Sequence, residues 1–405
     1  MSCIVMKFGG SSLVEEKFIE KVAIKVISAK RKYDRVVAVV SARGDATDDL
    51  IDKARKITGL PDERELDILL STGEQQSAAY LAMAIKARGH EAISLVAGQI
   101  GIYTNGTYGK ARITRINPKR IEKELKKGQI VIIAGFQGID SSGNITTLGR
   151  GGSDLTAIAL AHALNADICE IYSDVGGVYT ADPYVVTNAR KIDRLSYDEL
   201  LELAGSGADV MQARAVELAK RFNVIFRIRH SRGNGNGTLV QKEAKRMEKP
   251  EVTSVVYDKN QVKLSITDVP DRPGIAAKIF GALAKENINV DMIIQSAARG
   301  KNNDISFTVT RSDFKKCMPI LEKVKNELNA GDIIHDDKVA KVSIIGVGMK
   351  THPGVAAKMF RVLAKEKINI EMISTSEIKI SCVIRENEVE KAVKTLHFAF
   401  DLGRK

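Results

Sequence analysis

The chain repeats itself, and that narrows its architecture more than any other feature. Residues 272–296 read RPGIAAKIFGALAKENINVDMIIQS and residues 352–376 read HPGVAAKMFRVLAKEKINIEMISTS, identical at 15 of 25 positions. Self-similarity of this kind marks two copies of one supersecondary unit. Each copy is expected to run strand, Pro-Gly turn, helix, then a strand beginning at the Ile-Asn dipeptide. A further strand and helix are predicted at 303–310 and 313–327 in the first copy, and at 377–384 and 386–398 in the second. This is a βαββαβ unit of the ferredoxin-like kind, present twice. The second copy stops short, ending in FDLGRK, whereas the first still has DIIHDD. A spare strand-like run, VTSVVY at 252–257, precedes the first copy. It is expected to complete the second unit's sheet, so that the two modules interlock.

Ahead of the repeat, residues 1 to about 240 alternate apolar β-branched runs with amphipathic stretches. Strands are predicted at 3–8, 35–41, 91–96, 129–135, 167–173 and 223–229, and helices at 15–32, 62–88, 118–127, 153–165 and 211–222. Such alternation implies a mostly parallel sheet covered on both faces, a three-layer α/β domain. The stretch QKEAKRMEKP at 241–250 is charged, ends in proline and lacks periodicity, so it reads as a linker. The expected division is therefore 1–240, the linker 241–250, a first module at 251–337 and a second at 338–405.

Composition closes off several function classes. The chain has 405 residues, 44% of them hydrophobic and 28% charged, as in globular proteins. No apolar run reaches the roughly 18 residues that span a bilayer, and the N-terminus lacks the basic and apolar regions of a signal peptide. A cytoplasmic location is expected. The four cysteines, Cys3, Cys169, Cys317 and Cys382, lie far apart and read as buried free thiols rather than disulfides or zinc ligands. The six histidines show no metal-binding spacing. A net charge of +12 comes from cations interleaved with acids, with 5% aromatic residues and no tryptophan. That pattern argues against nucleic acid and suits steering of small anionic substrates.

Four stretches carry chemistry. IVMKFGGSSL delivers Lys7, Phe8, Gly9 and Gly10 at the end of a strand, with a helix expected to begin near Val14. Lysine precedes the glycines, the reverse of the common phosphate loop, yet exposed amides, a helix N-terminus and an ammonium still suit a phosphate. In TTLGRGGSDL, Arg150 sits among glycines, where a guanidinium can fork a carboxylate. Ser153 there reads either as the helix cap or as part of the site with Asp154. YSDVGGVYTADP lies at the C-terminal end of a strand, where open α/β sheets bind ligands. In LSTGEQQSAAY, Glu74 stands among small and apolar residues and reads as a site residue rather than a helix-terminal charge.

Taken in order, KFGGSS, VVSARGDATDDL, STGE, AGFQG, TTLGRGGSD and SDVGGVYTADP resemble the motifs of aspartokinases, of the amino-acid kinase superfold. The repeated modules resemble the paired ACT domains of that family, and the likeness covers essentially the whole chain. The resemblance implies transfer of the ATP γ-phosphoryl group to the β-carboxylate of L-aspartate, the first step toward lysine, threonine and methionine. A carboxylate is already ionised at neutral pH, so the nucleophile needs no general base; charge neutralisation and alignment are what remain.

By the same resemblance, Lys7 with the amides of Gly9 and Gly10 stabilises the transferring group, Asp154 orients Lys7, and Phe8 belongs to the same turn. Ser41, Thr47, Glu74, Arg150, Gly151, Gly152 and Ser153 hold aspartate, with Glu74 facing its ammonium and Arg150 a carboxylate. Ser173, Asp174, Tyr179, Ala181, Asp182 and Pro183 line the nucleotide pocket, and Mg²⁺ arrives with ATP. Tyr184 stands where the family often has arginine, with Arg190 or Lys191 as substitutes, and Gly176 stands where it often has aspartate.

For the repeat, the resemblance implies feedback inhibition by lysine, threonine or both. The effector residues would be Asp271, Gly274, Ile275, Ala276, Asn289, Val290, Asp291 and Gln295 in the first copy. Around the second they would be Val355, Ala356, Asn369, Ile370, Ser376 and Glu377. A homo-oligomer formed through these modules is expected. The alternatives are another carboxylate kinase of the superfold, or a non-catalytic amino-acid sensor.

Overall fold

The computed structural model describes residues 1–208, 210–233, 235–242, 252–297, 300–347, 349, 352 and 354–403. Of the linker expected at 241–250 only Gln241 and Lys242 are among these, and Gln241 ends the strand Thr238–Gln241. Contacts divide the chain into two compact units. The first comprises Met1–Val178, Lys191–Ala204 and Asp209–Lys245; the second comprises Tyr179–Arg190, Gly205–Ala208 and Arg246–Lys405. A single cut at 240 therefore does not separate them, because two segments from within 1–240 pack with the second unit.

The first unit is built on an eight-stranded sheet. In spatial order its strands are Arg194–Ser196, Thr238–Gln241, Phe226–His230, Ile168–Ser173, Cys3–Phe8, Arg35–Val40, Ile130–Ala134 and Ala92–Leu95. Every pairing is parallel except that between Phe226–His230 and Thr238–Gln241. Alternation sends Ile4, Met6, Phe8, Val36, Ala38 and Val40 to one face, beneath the helices Glu16–Lys30 and Glu63–Lys86. The other face is covered by Gly152–Ala163, itself packed on Ala213–Phe222. The expected α/β layering is thus observed.

Several elements of this unit go beyond those predicted, among them the sheet strands Arg194–Ser196 and Thr238–Gln241 and the helix Tyr197–Gly205. A helix spans Ala46–Ile57. A second, four-stranded sheet joins Ile102–Thr104, Ile113–Ile116, Gln137–Ile139 and Ile145–Thr147. Strands of three or four residues hold too few positions to show a period.

In the second unit each module has its own antiparallel sheet. In the first module the order is Ile293–Gln295, Asn302–Val309, Val262–Pro270, Ile333–Asp336; in the second it is Ser254–Asp258, Val339–Ile345, Lys379–Arg385, Met372–Thr375. Ser254–Asp258 pairs with Val339–Ile345, Ser254 opposite Ile345 and Asp258 opposite Lys341. The strand after each helix begins later than expected, five residues on at Ile293 and four at Met372, because Asn287 and Lys367 leave the helices at positive φ and Ile288 and Ile368 turn into the core.

The modules meet across the sheet faces that their helices leave bare. Met292, Val339, Met372 and Val383 form an apolar cluster there. Lys341, 1% exposed, pairs with Asp291, and Lys263 pairs with Glu371 at 3.0 Å. Lysine of the KLSI run thus meets the acid of the other copy's INIEM run, and lysine of KVSI meets that of INVDM. The repeat in sequence has become an exchange of ion pairs. All four cysteines are buried and free. No helix among the described residues is long and apolar enough to cross a membrane.

Candidate active site

Parallel strands end together, so Cys3–Phe8, Arg35–Val40, Ile130–Ala134 and Ile168–Ser173 present their C-terminal ends along one edge. Lys7 points from the first of these, and its Nζ lies 2.6 Å from Oδ1 of Asp154 in the first turn of Gly152–Ala163. Both side chains are about nine-tenths buried. Beyond the strand, the turn forms a short 3₁₀ segment, Gly10–Ser12, and the α-helix starts at Glu16 rather than near Val14. One expectation is corrected here. The Gly9 N–H donates to the Tyr172 carbonyl at 3.2 Å, continuing the ladder, so this amide is not free for phosphate.

Glu74 approaches from the middle of Glu63–Lys86 and is 3% exposed. Its Oε1 accepts the Ala42 N–H at 3.0 Å, while Oε2 is buried with no hydrogen-bond partner. Gly73 makes this reach possible, since a Cβ there would come within 2.8 Å of the Ala42 Cβ. Burial pushes the Glu74 carboxyl up to about 7, against the pull of the Ala42 amide, its own backbone amide and the Lys7 charge. A carboxyl so placed gains most from a cation at its open oxygen.

Ser41 and Thr47, both half-buried, follow Arg35–Val40 and enter Ala46–Ile57. Arg150 is exposed on the turn before Gly152–Ala163, whose cap is Gly151 at φ 70. Ser153 is therefore not the cap. It lies inside the first turn, 5% exposed, with its Oγ close against Gly135.

Ser173 and Asp174, half-buried and exposed respectively, close the strand Ile168–Ser173. Tyr179, Ala181, Asp182 and Pro183 belong to the second unit. Asp182 accepts from the Tyr257 hydroxyl at 2.9 Å and from the Tyr184 N–H at 2.9 Å. Ala181 is buried in the second module's core, which leaves only its backbone for a ligand. Tyr184 is 95% exposed, and Lys191 packs on Gly177. A separate cavity of about 580 Å³ between Glu16–Lys30 and the sheet is lined by Lys25, Tyr172, Arg229 and Arg232, but by none of the site residues above.

Of the effector residues, Gly274 caps its helix at φ 93, and its counterpart in the second copy, Gly354, does so at φ 105. Asn289 and Asn369 are exposed, with Val290 and Ile370 half-buried beside them. Ala276 and Gln295 are exposed and Ala356 is half-buried. The side chains of three of these residues are already engaged within the second unit. The Ile275 and Val355 side chains lie in the module cores, and Asp291 is occupied by Lys341. Asp271 accepts from Asn303 Nδ2 at 3.1 Å. The Ser376 N–H donates to the Lys379 carbonyl at 2.8 Å, Glu377 following it.

Residues overlooked in the sequence include Asp67 and Arg214, which brace the turn carrying Arg150. An acid and an arginine among the other charges of amphipathic helices gave no signal.

The family model for the amino acid kinase family matches residues 2–230, and that for the ACT domain matches residues 265–324 and 342–400. The chain is 49% identical over 403 residues to an aspartate kinase of Pseudomonas putida, covering 99% of this chain and 98% of the relative. It is similar to the crystal structure of E. coli aspartokinase III in complex with aspartate and ADP in the R-state, at a TM-score of 0.83 and 25% identity, over 98% and 99% of the two chains. The same enzyme in complex with lysine and aspartate, in the T-state, matches at a TM-score of 0.77 and 25% identity, over 98% and 99%.

Proposed function

This chain belongs to the aspartokinases of the amino acid kinase family, and from that premise we propose how its residues move the γ-phosphoryl group of ATP onto the β-carboxylate of L-aspartate. The carrying observation is Glu74: a buried carboxylate with one unpartnered oxygen, within the influence of the Lys7 ammonium. A site with two acids, Glu74 and Asp154, and one buried cation holds a surplus negative charge that the aspartate ammonium neutralises.

In this reading Lys7 is the catalytic cation. Asp154 holds it extended, so that the ammonium meets the phosphoryl oxygens as charge develops there. Gly10 and Phe8 shape the turn beside it. Arg150 takes a carboxylate of aspartate, with Ser41, Thr47, Gly151, Gly152 and Ser153 completing the acceptor site. No proton needs removing from the nucleophile. The chain's work is alignment, exclusion of water and charge neutralisation.

ATP takes Ser173, Asp174, Tyr179, the Ala181 backbone, Asp182 and Pro183. Mg²⁺ usually binds through substrate phosphates and one or two carboxylates, and Asp174, exposed at a strand end, is a carboxylate of that kind. The ion neutralises phosphate charge when bound.

The catalytic part spans 1–240 less the segments that join the second unit, and the modules 251–337 and 338–405 are regulatory ACT domains. They receive an inhibitory amino acid, lysine, threonine or both, at the helix caps Gly274 and Gly354 facing the Asn289 and Asn369 segments. The relative bound to lysine supports this reading. The protein acts in the cytoplasm, as a homo-oligomer assembled through these domains.

The test is ATP turnover with L-aspartate, L-glutamate or neither, trapping acyl phosphate with hydroxylamine, with and without lysine plus threonine. Aspartate-dependent hydroxamate, suppressed by the amino acids, is expected. An Arg150→Ala enzyme with an unchanged aspartate KM would remove Arg150 from the acceptor site.

A further inference from the structure

The turn that presents Arg150 is held from beneath by the first turn of the helix Ala213–Phe222. Arg214 donates Nη1 to the Leu148 carbonyl at 2.8 Å and Nη2 to the Ala111 carbonyl at 2.9 Å. Beside it, Gln212 donates Nε2 to the Arg150 carbonyl at 2.5 Å. The backbone of Gly151 rests on Gln212 so closely that a Cβ there would come within 2.7 Å of the Gln212 Cβ. On the preceding residue the grip comes from another element. Asp67, 1% exposed, accepts from the Thr147 N–H at 2.8 Å, the Thr147 hydroxyl at 2.6 Å and the Gly109 N–H at 3.0 Å. Asp67 and Glu74 share one helix, seven residues and about two turns apart, and so lie on the same face.

Arg214 spends its fork on two neutral carbonyls. Burial disfavours its charge, and Arg112 adds to that more than Glu217 relieves it. A planar cation is suited to fixing two acceptors in one geometry, and here they sit on both segments flanking the Arg150 turn. Arg150 itself is exposed, so its guanidinium is aimed chiefly by its backbone.

We propose that Arg214 is a positioning residue for the acceptor site. By fixing the Leu148 and Ala111 carbonyls it sets where Arg150, two residues beyond Leu148, presents its guanidinium, and hence the span from there to Glu74. The proposal rests on the assignment of Arg150 and Glu74 to aspartate made above. Because Asp67 ties the same strand to the helix of Glu74, the span is fixed by backbone hydrogen bonds. A fixed span selects acceptors by length and disfavours glutamate, one methylene longer than aspartate.

The experiment is a double-mutant cycle in the full-length enzyme, with Arg150→Ala, Arg214→Met and the pair. Arg214→Met is expected to raise the aspartate KM by roughly tenfold or more while the ATP KM stays within about twofold. Since Arg214 acts through Arg150, adding Arg214→Met to Arg150→Ala should change aspartate kcat/KM by less than about twofold. Full multiplication of the two single losses overturns the proposal, as does an unchanged aspartate KM or an equal rise in both KM values. Failure of the underlying reading shows separately, as an Arg150→Ala single variant with wild-type aspartate KM. Should Arg214→Met not fold, Arg214→Lys keeps the charge but cannot fork both carbonyls. Run through the same cycle, it is expected to raise the aspartate KM in the Arg150 background only, and an unchanged KM there overturns the proposal.

Discussion

Lys7 and Asp154 face each other at 2.6 Å across the junction of the first strand and the helix Gly152–Ala163. Neither has bulk water to lean on, so each fixes the other. Lys7→Met is expected to lower kcat by about 10²–10³, the loss typical of one preorganised electrostatic donor. Asp154→Asn leaves the ammonium in place but frees it to swing, and its loss in kcat should be smaller than that of Lys7→Met. Steady-state hydroxamate assays decide the order, and an Asp154→Asn loss exceeding the lysine loss would mean that the aspartate acts on more than Lys7.

Glu74 predicts two pH dependences. Burial lifts its carboxyl from 4.5 to about 7, so between those values the folded protein keeps a proton that the unfolded chain has released. Stability should therefore fall as pH rises through this window, by about 3 kcal/mol from this group, and level off above pH 7. The difference between wild type and Glu74→Gln in urea unfolding from pH 4.5 to 8 isolates the effect. Aspartate binding should move the opposite way, tightening up to tenfold per unit as pH approaches 7, with the slope lost in Glu74→Gln. A wild-type KM flat from pH 5.5 to 7.5 would place the aspartate ammonium elsewhere.

Gly73 predicts a backbone effect. In Gly73→Ala the new methyl meets the Ala42 Cβ at 2.8 Å, and the helix must retreat or Ala42 must move. The expected cost is about 1–3 kcal/mol, with a raised aspartate KM, because Glu74 no longer reaches the Ala42 amide. Thermal unfolding and substrate kinetics on one preparation check both.

The exchanged ion pairs between the modules are unequal in burial. Asp291→Asn leaves the 1%-exposed Lys341 without its counter-charge, with only the Gly205 carbonyl at 3.4 Å, and should cost about 3–5 kcal/mol. Glu371→Gln leaves Lys263 and Arg385, at 25% and 48% exposure, and both can turn to water, so about 1 kcal/mol is expected. Equal losses in denaturant unfolding would contradict this ranking.

Much of this was legible in the sequence because long elements declare themselves. The parallel strands are continuous runs such as RVVAVV and IVIIA, and the ferredoxin-like modules are written twice. Lys7 and Asp154 were singled out by their glycine-rich motifs and Glu74 by its small and apolar company, and all three side chains are largely buried. The sequence was silent about Ala46–Ile57 and the small sheet around Gln137–Ile139. It was silent too about segment 179–190 packing with the second unit, because that partnership depends on Tyr257 and on core positions far along the chain. Arg214 and Asp67 were invisible for a related reason. Their partners are backbone carbonyls and amides, which carry no side-chain signature.

The pairing of Ser254–Asp258 with Val339–Ile345 also bears on how the protein is born. On a ribosome, Asp258 emerges 87 residues before Ile345, roughly 4–17 s earlier at 5–20 residues per second. During that interval the whole first module can be completed and folded, while an older strand waits beside it with its ladder unmade. The waiting edge is open to the same strand partner from a neighbouring nascent chain. Polysomes translating this message thus hold their greatest hazard of swapped modules in the stretch between the two partner strands.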